Sequence, residues 1–155
     1  MNECYAKGAI YGFSPLSEKE MDLLLKQYIP LIDPRFLKVI KKGREVAAFL
    51  VAIPDLADGI QEARGRLLPF GLLKIMRARG KTRQLDMLLA GVKEEYRRYG
   101  LVGLLFLMTG FSALRAGISL VDTHHVMETN TAMRRECERV GGKIYKRFRV
   151  FQKLL

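Results

Sequence analysis

The chain has 155 residues, 49% hydrophobic and 28% charged, a length and composition that suit one compact domain and exclude a disordered tail or a solenoid. Two cysteines, Cys4 and Cys137, lie far apart at no metal-ligand spacing, and nothing at the N-terminus resembles a signal peptide, so a reducing cytoplasm is the expected location. The net charge of +11 favours an anionic partner (nucleic acid, an acidic membrane surface or a phosphorylated cofactor) without choosing among them.

In chain order, Ser17 and Glu20 stand at capping-box spacing ahead of Met21, Leu24, Leu25 and Tyr28, which predicts a helix ending near Pro30. Runs of β-favouring residues on either side of Lys42 and Gly43, closed by Pro54 and Asp55, predict a strand hairpin. Ala57 to Arg79 reads as helix in two pieces broken at Leu68-Pro69-Phe70-Gly71, because Pro69 suits a first turn and not an interior. This 57–81 insert is basic: Arg64, Arg66, Lys74, Arg77, Arg79 and Lys81 lie on it, with Arg83 just beyond. A second basic cluster holds Lys143, Lys146, Arg147, Arg149 and Lys153. Each reads either as a solvated face or as a phosphate site.

Thr82 to Val92 is apolar and short enough for a buried strand, although its periodicity alone also fits a helix, and Gly100 to Ala116 predicts a helix that is apolar nearly all round, stopped by Gly117 and placed deep in the fold. The longest uncharged stretch, Tyr99 to Leu114, is shorter than a bilayer span requires, so no membrane span is expected. "ISLVDTHHV" predicts another strand, Asn130 opens a short helix ending at Gly141-Gly142, and "KIYKRFRVFQK" alternates like a half-exposed last strand. Helices and strands intermix, which gives an α/β or α+β class with a mixed sheet.

Between the central strand and the apolar helix stands "KEEYRRYGLVGLLF", Lys93 to Phe106. A strand that feeds a glycine turn into a helix start presents unpaired N–H groups and a positive helix end, which suit a pyrophosphate. No GxGxxG follows a strand and no GxxxxGK[ST] occurs, which argues against dinucleotide and nucleoside-triphosphate cradles.

"LLAGVKEEYRRYGLVGLL", in this order of elements, resembles motif A of the GNAT superfamily of acyl-CoA N-acyltransferases, [QR]-x-x-G-x-[GA]; Arg97 and Gly100 match, and Val102 holds the last position. "ETNTAMRRECERVGG" followed by "YKRFRVF" is similar to the family's Asn-led helix and last strands. The resemblance covers Phe36 to Leu155, with Ser17 to Ile32 as the family's first helix. With the insert that carries Leu68-Pro69-Phe70-Gly71 ahead of the fourth strand, the chain looks like the C-terminal half of longer bacterial proteins carrying two GNAT-like halves, so it would be a fragment or a single-domain relative. Its assembly would be a homodimer or a pairing with a missing N-terminal half.

The resemblance implies one domain over residues 1–155, with a mostly antiparallel central sheet and helices on both faces. It implies acetyl-CoA or another acyl-CoA as cofactor and a small-molecule or peptide amine as acceptor. The backbone from Arg98 through Tyr99, Gly100, Leu101 and Val102 to Gly103, with Arg97 beside it, would receive the pyrophosphate. The strand edge at Leu89, Ala90 and Val92 would pair with the pantetheine arm, and an N–H near Ala90 would hold the developing oxyanion. Asp86 would be the general base, alternating with Leu88 and Ala90 on an apolar face; the other reading pairs it with a nearby arginine. Cys137 stands at the family's tyrosine acid, although a lone cysteine is more often a small buried hydrophobe, with Tyr145 and Tyr99 behind it as acids.

The branched Val102 is expected to narrow the cradle, and Asn130 to cap its helix while remaining compatible with a cofactor contact. Adjacent on a strand, His124 and His125 would point to opposite faces and could not share a metal; one is expected buried or near the cleft and the other in solvent, with structural roles ahead of catalytic ones. The functional reading is an acyl-CoA-dependent N-acetyltransferase acting on an unidentified amine. The alternatives are a catalytically inert GNAT-like interaction domain and a basic nucleic-acid module, the latter without RNP, KH or zinc-finger pattern.

Overall fold

A computed structural model of the chain describes residues 16–29, 32–66 and 69–153. The capping box forms as its spacing predicts. The Ser17 amide donates to Glu20 Oε2 at 2.8 Å and the Glu20 amide to Ser17 Oγ at 3.3 Å, opening helix α1 (Glu18–Tyr28). Ser17 holds the Glu20 carboxyl below its usual value. Pro30, Leu68 and Cys4, named above, lie outside the described residues.

Asp33 then turns the chain. Its carboxylate accepts from the Arg35 amide at 3.0 Å and from the Arg35 guanidinium at 2.8 Å, starting a single 3-10 turn that drives Phe36 into the core with no exposed surface. From there β1 (Leu37–Lys42) and β2 (Glu45–Pro54) make the predicted hairpin, with Gly43 in the left-handed region at φ 61°. β2 pairs antiparallel with β3 (Gln84–Val92), and β3 pairs parallel with the short β4 (Leu120–Asp122). The sheet order β1-β2-β3-β4 is the mixed, mostly antiparallel sheet expected.

One face of the sheet presents Ala48, Leu50, Ala52, Leu85 and Val92 to Leu105, Phe106 and Ala113 of helix α4 (Leu101–Arg115), and this layer is the core. The left-handed Gly117 stops α4 as predicted. The expectation that α4 lies deep on all sides is corrected: Leu107, Phe111 and Leu114 are each more than half exposed. The helix is apolar all round, but the sheet covers one side of it.

The insert folds as two helices, α2 (Ala57–Glu62) and α3 (Gly71–Arg79), broken where Pro69 predicts. A Cβ on Gly59 would stand 2.7 Å from the Ile75 Cα, so only glycine lets the two backbones approach this closely. Arg79 of α3 reaches Asp33 at 3.5 Å, tying the insert to the start of the sheet.

Hydrogen bonds from Arg35 hold the Asp33 carboxyl down to about 2 against the opposing effect of burial, with attraction from Arg79 adding to them. The folded value lies below the ordinary 3.8, so this stabilisation is complete above about pH 4 and is lost as pH falls toward 2. Asp33→Asn is therefore expected to melt lower than the parent at pH 7, with the gap closing near pH 2; melts at both values check this. An equal gap at both pH values would show that the carboxylate charge plays no part.

Two further expectations are corrected. The strand through the histidines ends at Asp122, because its carboxylate accepts the His124 amide at 2.7 Å and folds the chain off the sheet, with His124 at φ 52°. The last strand does not form. After α5 (Thr131–Arg139), the Gly142 amide bonds back to the Cys137 carbonyl at 2.8 Å with Gly141 at φ 83°, and residues 143–153 then run exposed and outside the sheet. Side chains hold this segment: the Tyr145 hydroxyl donates to Asp122, and Phe148 meets the edge of His125 at 4.8 Å. Among the described residues, no helix is long and apolar enough to cross a membrane.

Candidate functional site

β3 connects the two halves of the candidate site. Its pairing with β2 matches Val51 to Leu89 and Ala52 to Met87, leaving Leu88 as an extra residue, a β-bulge. The bulge resets the alternation: Leu85 and Met87 before it and Ala90 and Val92 after it all pack toward the core, while Asp86 lies on the opposite face. The expectation that Asp86 shares a face with Leu88 and Ala90 is thereby corrected. Asp86 is also where β3 leaves β4: its partner there is Asp122, the last residue of β4, while β3 continues to Val92. Leu88 and Leu89 follow that parting and are 43% and 41% exposed.

Asp86 itself is 8% exposed. The Gln84 side chain donates to its Oδ1 at 2.9 Å, and His124 Nε2 lies 3.5 Å from its Oδ2, so the ring beside it is a histidine where an arginine was considered above. Asp122 completes the group. Burial pushes the Asp122 carboxyl up, but the Tyr145 hydroxyl and the His124 amide outweigh it and hold the group below its usual value. In return the hydrogen bond to Asp122 pushes the Tyr145 hydroxyl up, with burial and a weaker repulsion from Asp86 in the same direction.

Asp86, Asp122, His124 and Tyr145 thus gather at one end of the β3–β4 junction. Sequence reasoning assigned Asp86 there, ranked Tyr145 behind Cys137 and missed Asp122, whose position depends on a parallel register that no local pattern encodes. Cys137 lies half-buried against the core. Burial pushes its thiol up, and its side-chain partner is Thr123 rather than a member of the Asp86 group. Among the described residues, no three or more His, Cys, Asp or Glu side chains gather to hold a metal ion.

β3 ends at Val92, six residues and about 20 Å past Asp86, and the glycine turn follows it. Lys93 Nζ and the Tyr96 hydroxyl both reach Glu45, at 2.6 and 3.2 Å, pinning the Glu94–Tyr99 3-10 turn to β2; these bonds, Lys93's first, hold the Glu45 carboxyl below its usual value. Arg97 Nε donates to the Val92 carbonyl at 3.4 Å, and Arg98 and Tyr99 are exposed. Gly100 is left-handed at φ 67°, with no atom within 4 Å of where a Cβ would stand. It precedes α4 without a side-chain cap, and the amides of Leu101, Val102 and Gly103 come before the first intrahelical bond, from Leu104 to Gly100 at 3.3 Å.

Leu101 and Val102 are half-buried against the core. A Cβ on Gly103 would stand 3.4 Å from the Glu136 carboxylate of α5, which is ion-paired to Arg139 at 2.9 Å. Asn130 caps α5 as predicted, accepting the Met133 amide at 3.1 Å.

No family model matches the chain. It is 28% identical over 151 residues to Protein YghO of Escherichia coli strain K12, covering 92% of this chain and 38% of that protein. It is 32% identical over 152 residues to the Bacterial ceramide synthase of Caulobacter vibrioides, covering 94% of this chain and 39% of that protein. The chain therefore spans about two fifths of the length of these curated relatives.

Proposed function

We propose that this chain is a GNAT-like acyltransferase domain that passes an acyl group from acyl-CoA to an amine, forming an amide. The observation that carries this reading is the parting of β3 and β4 at Asp86, with an uncapped helix start and a left-handed glycine at the other end of the same strand. The name of the Caulobacter relative supports the reaction class, since a ceramide is an N-acylated amino alcohol.

Leu101 to Gly103 would hold the pyrophosphate on their amides, and the pantetheine arm would run along β3 past the exposed Leu88 and Leu89, over a distance that brings the reacting end to Asp86. When bound, acyl-CoA supplies the activated acyl carbonyl. Asp86 takes a proton from the attacking amine, directly or through water, while Gln84 holds the carboxylate in place. Tyr145 returns a proton to the departing thiolate, a role suited to a hydroxyl that Asp122 keeps protonated at neutral pH.

The inert-domain reading draws on one observation, the Glu136 carboxylate beside the first turn of α4, which competes with a phosphate for that helix end. The experiment offers acetyl-CoA and a long-chain acyl-CoA together with polar amines and a long-chain amino alcohol. Release of free coenzyme A thiol accompanied by an amide in which the acyl group has replaced one amine hydrogen is the expected result. Coenzyme A binding with neither product supports the inert-domain reading.

A further inference from the structure

Helix α3 turns an apolar stripe outward. Leu72, Leu73 and Met76 are 52%, 67% and 49% exposed, and Phe70, immediately before the helix, is 66% exposed. The helix cannot roll to bury them. Its inner side is locked, with Ile75 against Gly59 and with the Arg66 carbonyl 1.6 Å from where a Cβ on Gly71 would stand.

The segment that carries the stripe is basic. Arg64, Arg66, Arg77, Lys81 and Arg83 are all exposed, and the sequence carries no Asp or Glu between Glu62 and Asp86. Phosphate binding by a nucleic acid would not need four exposed apolar side chains, and a second copy would bring the same positive charge against this one. An apolar stripe set in basic side chains matches both layers of an anionic bilayer, with its acyl region beneath and its phosphates above.

We infer that α3 and its basic flanks form a docking surface for an anionic lipid bilayer. The inference does not rest on the acyl-transfer reading, because vesicle binding is measured without substrate. The test is co-sedimentation of the whole chain with phosphatidylcholine vesicles, with and without phosphatidylglycerol. The parent is expected to bind the anionic vesicles only, and less as salt rises. Leu72→Ser/Leu73→Ser/Met76→Ser should lower that affinity at least tenfold while circular dichroism and melting stay close to the parent's, since these side chains are largely exposed. Arg77→Gln/Lys81→Gln should lower it roughly fivefold for each charge removed.

Three results would overturn the inference. They are failure of the parent to bind anionic vesicles, equal binding by the triple-serine variant, and serine-sensitive self-association or charge-sensitive RNA binding in place of vesicle binding.

Discussion

Asp86→Asn is expected to cut amide formation by about 100- to 10,000-fold, the range that one positioned general base contributes. Asparagine keeps an oxygen for the Gln84 amide, so the fold and the affinity for acyl-CoA should stay near the parent's. The loss should fall on kcat. Tyr145→Phe should give a smaller loss on the alkaline side and should leave Asp122 without the phenol that now donates to it. Unchanged turnover in Asp86→Asn would return this carboxylate to a structural role at the β3–β4 junction.

Acyl-CoA at about a hundred times its dissociation constant is expected to stabilise the chain by about 2.7 kcal/mol, a rise in melting temperature of roughly 5–10 °C for a domain of this size. Gly100→Val should remove most of that rise. It forces a branched residue into a left-handed conformation at a cost of about 1–2 kcal/mol, and the helix start re-forms with its amides displaced. Asp86→Asn should keep the rise, which separates loss of chemistry from loss of binding. A full ligand-induced rise in Gly100→Val would place the phosphates elsewhere.

What the sequence made legible was local. Ser17 with Glu20, Gly43 in the hairpin, Pro69 between the two insert helices and Asn130 ahead of α5 each act within a few residues, and each stands where its chemistry puts it. What was not legible depends on contacts across the chain. The bulge at Leu88 is visible only against β2, and it reversed the face assigned to Asp86. Asp122 stops its strand with its own side chain, which also deprives residues 143–153 of a longer edge to pair with, so their alternation remains unused. The apolar circumference of α4 predicted burial all round, but one sheet face can cover one side of a helix. Of the candidate site, Asp86 and Gly100 were named from the GNAT resemblance, whereas Asp122 and Tyr145 come to Asp86 through tertiary pairing.

If acyl-CoA lies along β3, from the Gly100 turn to Asp86, hydrogen exchange with and without an acyl-CoA will report it. The predicted result is slower exchange in peptides covering residues 88–103, with β1 unchanged and the basic 64–83 stretch unaffected once salt is raised. Protection confined to residues 64–83 that vanishes with salt, with 88–103 unchanged, would contradict it and reduce coenzyme A to a polyanion held by the basic insert.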